Sequence, residues 1–293
     1  MIFNNMKVAL IGVGRWGTIL KGELSKITDI KYVCDSKTNL GPVFADPEVK
    51  AVFIATPTET HFEIASKALG AGKHVFLEKP GTDSGEKLGK LVKLAEAKKL
   101  RFAIGYEFPH HPAAKKLKEL ISGKGVKSVR FEWQKWGTFK DNAVMHHLCH
   151  DVSVMKYLGF DNLSPVNHHR TKVISETDII WTEFKSDSDA YIESIINRAS
   201  TIKQKTVTVL LEKGGYVWSN NELFAINLDT QALDKIDLPQ TTPVANELND
   251  FLNSETPLCN GEFALEVYKI VEQVGALRPP PLRNCRVCRR KRE

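Results

Sequence analysis

Gly12-Val13-Gly14-Arg15-Trp16-Gly17 follows directly on an apolar strand-like run over 7–11 and opens a helical stretch reaching about residue 26. Three glycines at this spacing do three different things. The first permits a tight turn, the second lets backbone approach a pyrophosphate, and the third lets the helix pack closely on the strand. The helix N-terminus then offers free N–H groups and the positive end of its dipole to phosphate, with Arg15 and Trp16 in its first turn. A second strand over 30–34 ends at Asp35, eighteen residues past Gly17. That is close to where an acidic residue accepts the hydroxyls of a ribose. A plain glycine turn with a solvated aspartate is the blander alternative, and strand context and spacing together weigh against it. A carboxylate here repels a 2′-phosphate, so NAD is expected over NADP. Lys37 stands near enough to soften that preference, which leaves NADP open.

The first third of the chain alternates strand and helix. Strands are expected over 7–11, 30–34, 51–55, 74–77 and 101–104, with helices over 58–69 and 84–98. Short apolar strands in βαβ alternation imply an α/β Rossmann fold, a doubly wound parallel sheet with helices on both faces. After about Tyr106 the texture changes. A helix over 112–121 is followed by strand patterns over 126–136, 178–184, 190–197, 206–211, 216–219 and 223–227, with Glu212-Lys213-Gly214-Gly215 as a hairpin turn. Strands in series predict an α+β domain with a largely antiparallel sheet, closed by a helix over 263–274. The expected division is a dinucleotide-binding domain over 1–108, a substrate-binding domain over 109–277, and a disordered basic tail over 278–293. Gly41-Pro42 is expected to break any crossover helix between Asp35 and Ala51, where the chain is short for a βαβ unit.

Charge and cysteine content exclude several classes. The net charge of +6 is carried by the tail, where Arg278, Arg283, Arg286, Arg289, Arg290, Lys291 and Arg292 face only Glu293. The body is formally neutral, so no nucleic-acid partner is expected. No apolar run reaches the roughly 20 residues of a membrane span, and no secretory leader is evident, so a cytoplasmic protein is expected. Five scattered cysteines read as reduced thiols. Cys285-Arg286-Val287-Cys288 lacks the second pair that a structural zinc needs. His146 and His150 share a helix face but have no third ligand at typical spacing, so no metal is expected. His110-His111 and His168-His169 read as loop or sheet-edge residues.

Ala55-Thr56-Pro57-Thr58-Glu59-Thr60-His61 and Ala71-Gly72-Lys73-His74-Val75-Phe76-Leu77-Glu78-Lys79-Pro80, downstream of the glycine loop, resemble the Gfo/Idh/MocA family of NAD(P)-dependent sugar and inositol dehydrogenases. The likeness continues through Gly105-Tyr106, His111-Pro112-Ala113 and His150-Asp151-Val152-Ser153. It implies that Thr56, Pro57, His61 and Glu78 line the cofactor cleft, that Lys79 touches substrate and nicotinamide ribose, and that Tyr106 and His150 meet substrate. It also implies a homodimer or homotetramer formed through the second-domain sheet. A histidine at the His150 position commonly handles the proton, with an acidic residue or its amide four residues earlier. Here that place holds His146, or His147 if the alignment slips by one, a departure from the usual carboxylate–histidine relay.

The chemistry follows from the residues. Oxidising a secondary alcohol sends a hydride to nicotinamide while a base removes the hydroxyl proton. A histidine suits the proton step, and a lysine ammonium on the same oxygen stabilises alkoxide charge. The expected roles are His150 as base, Lys79 as electrostatic partner, and His146 as relay or substrate contact. In a helix over 145–158, Met145, Leu148, Val152, Met155 and Leu158 would form an apolar face, with His146, His150, Ser153 and Tyr157 on another. The expected reaction is hydride transfer between NAD and a sugar, a nucleotide-linked or acidic hexose. The alternative is a catalytically silent NAD-binding regulatory protein of the same fold.

Overall fold

The computed structural model describes residues 6–140 and 142–276; the tail expected to be disordered, 278–293, lies outside them. Two compact units interleave along the chain. The first takes the N-terminal stretch through Ser122 with Cys149–Gly159 and Ile236–Lys269, and the second takes Gly123–Leu148, Phe160–Lys235 and the stretch from Ile270. In place of one boundary after residue 108, the chain therefore passes between units several times.

The first unit opens with β1 (Lys7–Ile11), α1 (Arg15–Leu24), β2 (Asp29–Cys34), α2 (Gly41–Ala45), β3 (Val49–Ile54), α3 (Thr58–Gly70), β4 (His74–Glu78), α4 (Gly85–Ala97) and β5 (Phe102–Gly105). Its five strands are all parallel, in the order β2-β1-β3-β4-β5. β1, β3, β4 and β5 are nearly continuous apolar runs because helices cover both faces. β2, at the edge, alternates instead, with Asp29, Lys31 and Val33 exposed. The expected break at Gly41-Pro42 is corrected: a five-residue helix forms there, because proline in the first helical turn gives up only an N–H that has no intrahelical partner anyway.

A 3₁₀ turn (Phe108–His110) and α5 (Pro112–Ile121) follow β5, and α6 (Cys149–Leu158) and α7 (Pro243–Asn253) join the same unit from later in the chain. α7 was not anticipated. Its Val244, Leu248, Phe251 and Leu252 bury with Val8, Leu10, Phe53 and Phe76. The Phe251 ring meets Phe53 and Phe76 edge-on, with centroids 5.3 and 5.6 Å apart. Thr242 starts the helix, its hydroxyl accepting from the Ala245 N–H.

The second unit holds β6 (Val126–Trp136), β7 (Ser164–Thr171), β8 (Ile179–Lys185), β9 (Tyr191–Asn197), β10 (Ala199–Leu211), β11 (Gly215–Ser219), β12 (Glu222–Asn227) and β13 (Ala232–Ile236), before α8 (Gly261–Ala276) ends the described chain. The sheet runs β13-β12-β11-β10-β6-β9-β8-β7 and is antiparallel except for the parallel pair β6–β9. Alternation sends Val129, Phe131, Ile192, Ile196, Val207 and Val209 to a buried face. Trp136, Tyr191 and Leu210 stay exposed. The edge strands β7 and β13 were not foreseen, although His168-His169 do fall on a sheet edge. Among the described residues no helix is long and apolar enough to cross a membrane, and no three His, Cys, Asp or Glu side chains are grouped to hold a metal.

Candidate active site

In an open parallel sheet, a crevice forms at the carboxyl ends of the strands where the winding direction reverses. Here that point lies between β1 and β3. Gly12 ends β1 at φ +102°, and an added Cβ would stand 2.4 Å from the Ala55 carbonyl oxygen beyond β3. Gly17 packs tighter still: a Cβ there would be 2.0 Å from the Gly12 oxygen. Gly14 differs, because its Cβ would meet nothing within 4 Å. It caps α1 without a side-chain hydrogen bond, so the first turn presents backbone N–H groups over an open face. Arg15 is exposed, whereas Trp16 packs against the apolar core and offers the crevice its backbone, not its ring.

Asp35 lies at the exposed end of β2. Its Oδ1 accepts from Thr38 Oγ1 at 2.8 Å and from the Lys37 N–H at 3.0 Å. These bonds, the Thr38 hydroxyl foremost, hold its carboxyl below the ordinary aspartate range. Thr56 and Pro57 form the turn from β3 into α3, where Thr60 Oγ1 donates to Thr56 Oγ1 at 2.8 Å.

His61, expected to line the cofactor cleft, makes two short contacts with backbone carbonyls. It is buried, with Nε2 2.7 Å from the Thr56 oxygen and Nδ1 2.9 Å from the Gly81 oxygen. Burial pushes its pKa down, and the two carbonyls push it back up. The ring thus clips the Thr56 turn to the segment after Pro80. Replacing it by alanine opens a cavity and leaves the carbonyl that its one N–H serves without that donor, so His61→Ala should cost about 2–4 kcal/mol. Urea denaturation reads this directly, and a loss below about 0.5 kcal/mol would remove the clip.

Glu78 ends β4, and Lys79 follows, half-buried, before a cis peptide to Pro80. The Glu78 carboxyl lies over Gly105, where a Cβ would meet its Cδ and Oε1 at 3.2 Å. Burial raises the Glu78 carboxyl to about 8; Lys79 pulls it down and Glu107 pushes it up. A second buried carboxyl, Glu247 on α7, was missed by sequence reasoning. Its Oε1 has no hydrogen-bond partner among the described residues. Burial first, then Glu78, Glu107 and Asp250, keep it well above the carboxylate range.

His150 is buried on α6, its ring edge-on to Phe108 with centroids 5.0 Å apart. Phe108 lies three residues past Gly105, which pairs with Glu78 across β5–β4. Lys79 thus follows the carboxyl end of β4, on the same strand-end edge as the glycine loop, and His150 packs against the segment that leaves β5. The expected amphipathic helix is corrected. Val144–Leu148 forms a π turn in the second unit, and Cys149–Met155 is buried on every face, so the i, i+4 face through His146 and His150 is broken. His146 is half-exposed on that turn. His147 is buried, its ring 5.4 Å from Trp133 and its Nε2 3.3 Å from Thr138 Oγ1. Tyr106, expected at the substrate, is fully buried, and no hydrogen-bond partner for its hydroxyl stands among the described residues.

Residues 19–106 match the oxidoreductase family Gfo/Idh/MocA, NAD-binding Rossmann fold. An uncharacterized oxidoreductase of Synechocystis is 38% identical over 115 residues, 38% of this chain and 30% of that protein. The UDP-N-acetylglucosamine 3-dehydrogenase of Acidithiobacillus ferrooxidans is 28% identical over 190 residues, 59% of this chain and 60% of the relative. The matches thus span less than two thirds of these relatives. In fold, the solved structure of the Acidithiobacillus enzyme superposes with a TM-score of 0.83 at 23% identity, covering 94% of this chain and 97% of that one. A levoglucosan dehydrogenase solved with NADH and levoglucosan gives 0.79 at 18% identity, covering 92% and 96%. Residues 19–106 thus resemble the NAD-binding Rossmann fold of the Gfo/Idh/MocA oxidoreductases, and the likeness in fold extends over nearly the whole chain.

Proposed function

We propose that this protein is an NAD-dependent oxidoreductase moving a hydride between nicotinamide and a secondary alcohol of a sugar, a nucleotide-linked or acidic hexose. The observation that carries the reading is one strand-end edge with the glycine loop, the Thr56 turn and Lys79 along it, and His150 packed against the Phe108 segment that leaves β5. A dinucleotide fits the residues present. The open face at Gly14 and the uncapped start of α1 suit a pyrophosphate, and an ionised Asp35 suits ribose hydroxyls and repels a 2′-phosphate. Bound there, the nicotinamide supplies the hydride acceptor. Lys79 holds the alcohol oxygen and stabilises the charge that develops on it. His150 takes the hydroxyl proton, with Phe108 fixing the plane of its ring. The sugar class draws support from the named relative that acts on a nucleotide-linked sugar. Exposed Trp136, Tyr191 and Leu210 on the second unit's sheet suit the homo-oligomer expected from the family.

The test is NADH formation against a panel of sugars and nucleotide sugars. Lys79→Ala should lower kcat by about 10²–10³-fold with NADH affinity kept within about twofold. NADH binding without turnover on any sugar would favour the silent cofactor-binding protein instead.

A further inference from the structure

The two ends of the candidate cofactor crevice are built unequally. At the phosphate and nicotinamide end every part is braced: Gly17 is locked on Gly12, Gly12 on Ala55, Thr56 on His61, and His61 on Gly81. At the adenosine end fewer elements stand among the described residues. A six-stranded dinucleotide fold winds in the order 3-2-1-4-5-6, placing a strand and its crossover helix outside the second strand. Here the chain leaves β2 and passes directly to β3 on the far side of β1. Residues 35–48 between them hold only the five-residue α2. β2 is consequently the edge strand, residues 35–39 are exposed, and Val13 and Val33 stand 47% and 41% exposed.

Resting on the function proposed above, we propose that this chain recognises its cofactor through the nicotinamide–ribose–phosphate half and accepts reduced nicotinamide mononucleotide almost as well as NADH. Affinity comes from groups that are desolvated and held in a fixed geometry. With β2 at the sheet edge, one side of the adenine would stay in water, which limits what its burial contributes. Asp35 alone cannot supply the difference, because one of its oxygens is already taken by Thr38 and the Lys37 N–H.

Calorimetric titration of the full chain with NADH, reduced nicotinamide mononucleotide and AMP tests this. The expected result is a mononucleotide Kd within about tenfold of that for NADH, with AMP weaker than the mononucleotide. A mononucleotide more than about tenfold weaker than NADH, or AMP binding as tightly as the mononucleotide, overturns it while leaving the proposed function intact. Absence of NADH binding overturns both.

Discussion

Gly17→Ala is expected to abolish NADH binding and to destabilise the first unit at the same time. The added methyl would stand 2.0 Å from the Gly12 oxygen, a contact that only a shift of α1 or of the loop can relieve. Moving either one spoils the geometry that aims the first N–H groups of α1. The affinity loss should exceed about a hundredfold, roughly 2.7 kcal/mol, and the overpacking should cost about 1–3 kcal/mol of stability. Gly14→Ala separates the two effects. Its methyl meets nothing within 4 Å, so the melting temperature should hold, yet it projects where a pyrophosphate would approach and binding should still fail. Thermal melts paired with NADH titrations read both variants. If Gly17→Ala kept its affinity, the glycine loop would not be the phosphate cradle.

The second large effect is a fall in stability as pH rises through neutrality. Glu78 is held at about 8 inside the protein, against 4.5 when free. Below pH 4.5 both folded and unfolded chains carry its proton. Between 4.5 and 8 only the folded chain keeps it, so unfolding releases a proton and becomes steadily easier; above 8 Glu78 contributes no further change. The loss across that window is roughly 3–5 kcal/mol. Glu247, also raised by burial, adds to the decline. Glu78→Gln and Glu247→Gln remove these terms, so each should gain on the wild type as pH climbs from 5 to 8. Melting curves of the three proteins across that range decide the matter, and parallel curves would mean that neither carboxyl is held protonated. Activity should carry the same signature. Once Glu78 ionises it competes for the Lys79 ammonium, so kcat/KM should fall above a pH of about 8, and Glu78→Gln should lose that limb.

How much of this was legible beforehand depends on where each residue's signal lies. The five parallel strands announce themselves because burial on both faces demands unbroken apolar runs. β6 and α5 announce themselves through alternation and helical spacing. Edge strands carry no such demand. β7, Ser-Pro-Val-Asn-His-His-Arg-Thr, buries only His168, and β13 is exposed along nearly its whole length. α7 hides behind Leu238-Pro239-Gln240-Thr241-Thr242-Pro243, which reads as loop; the threonine followed by proline at the first helical position was the signal available. With α7 unseen, Glu247 was invisible too. Motif likeness named His61 and Tyr106 without showing that both are buried, because a motif records which residues recur and not whether they face inward. The π turn at Val144–Leu148 similarly escapes any reading built on a 3.6-residue period.

The lateness of α7 has a consequence for synthesis. All five strands of the first sheet have been made once residue 105 is added, yet Phe53 and Phe76 find their partner Phe251 only after about half of the chain has followed. Until then the nascent sheet carries an uncovered aromatic face. A ribosome-bound chain of this length waits seconds to tens of seconds at ordinary elongation rates, long enough for a holdase to matter. Chains halted before Pro243 are therefore expected to bind chaperones or aggregate, and those extended past Asn253 to be released.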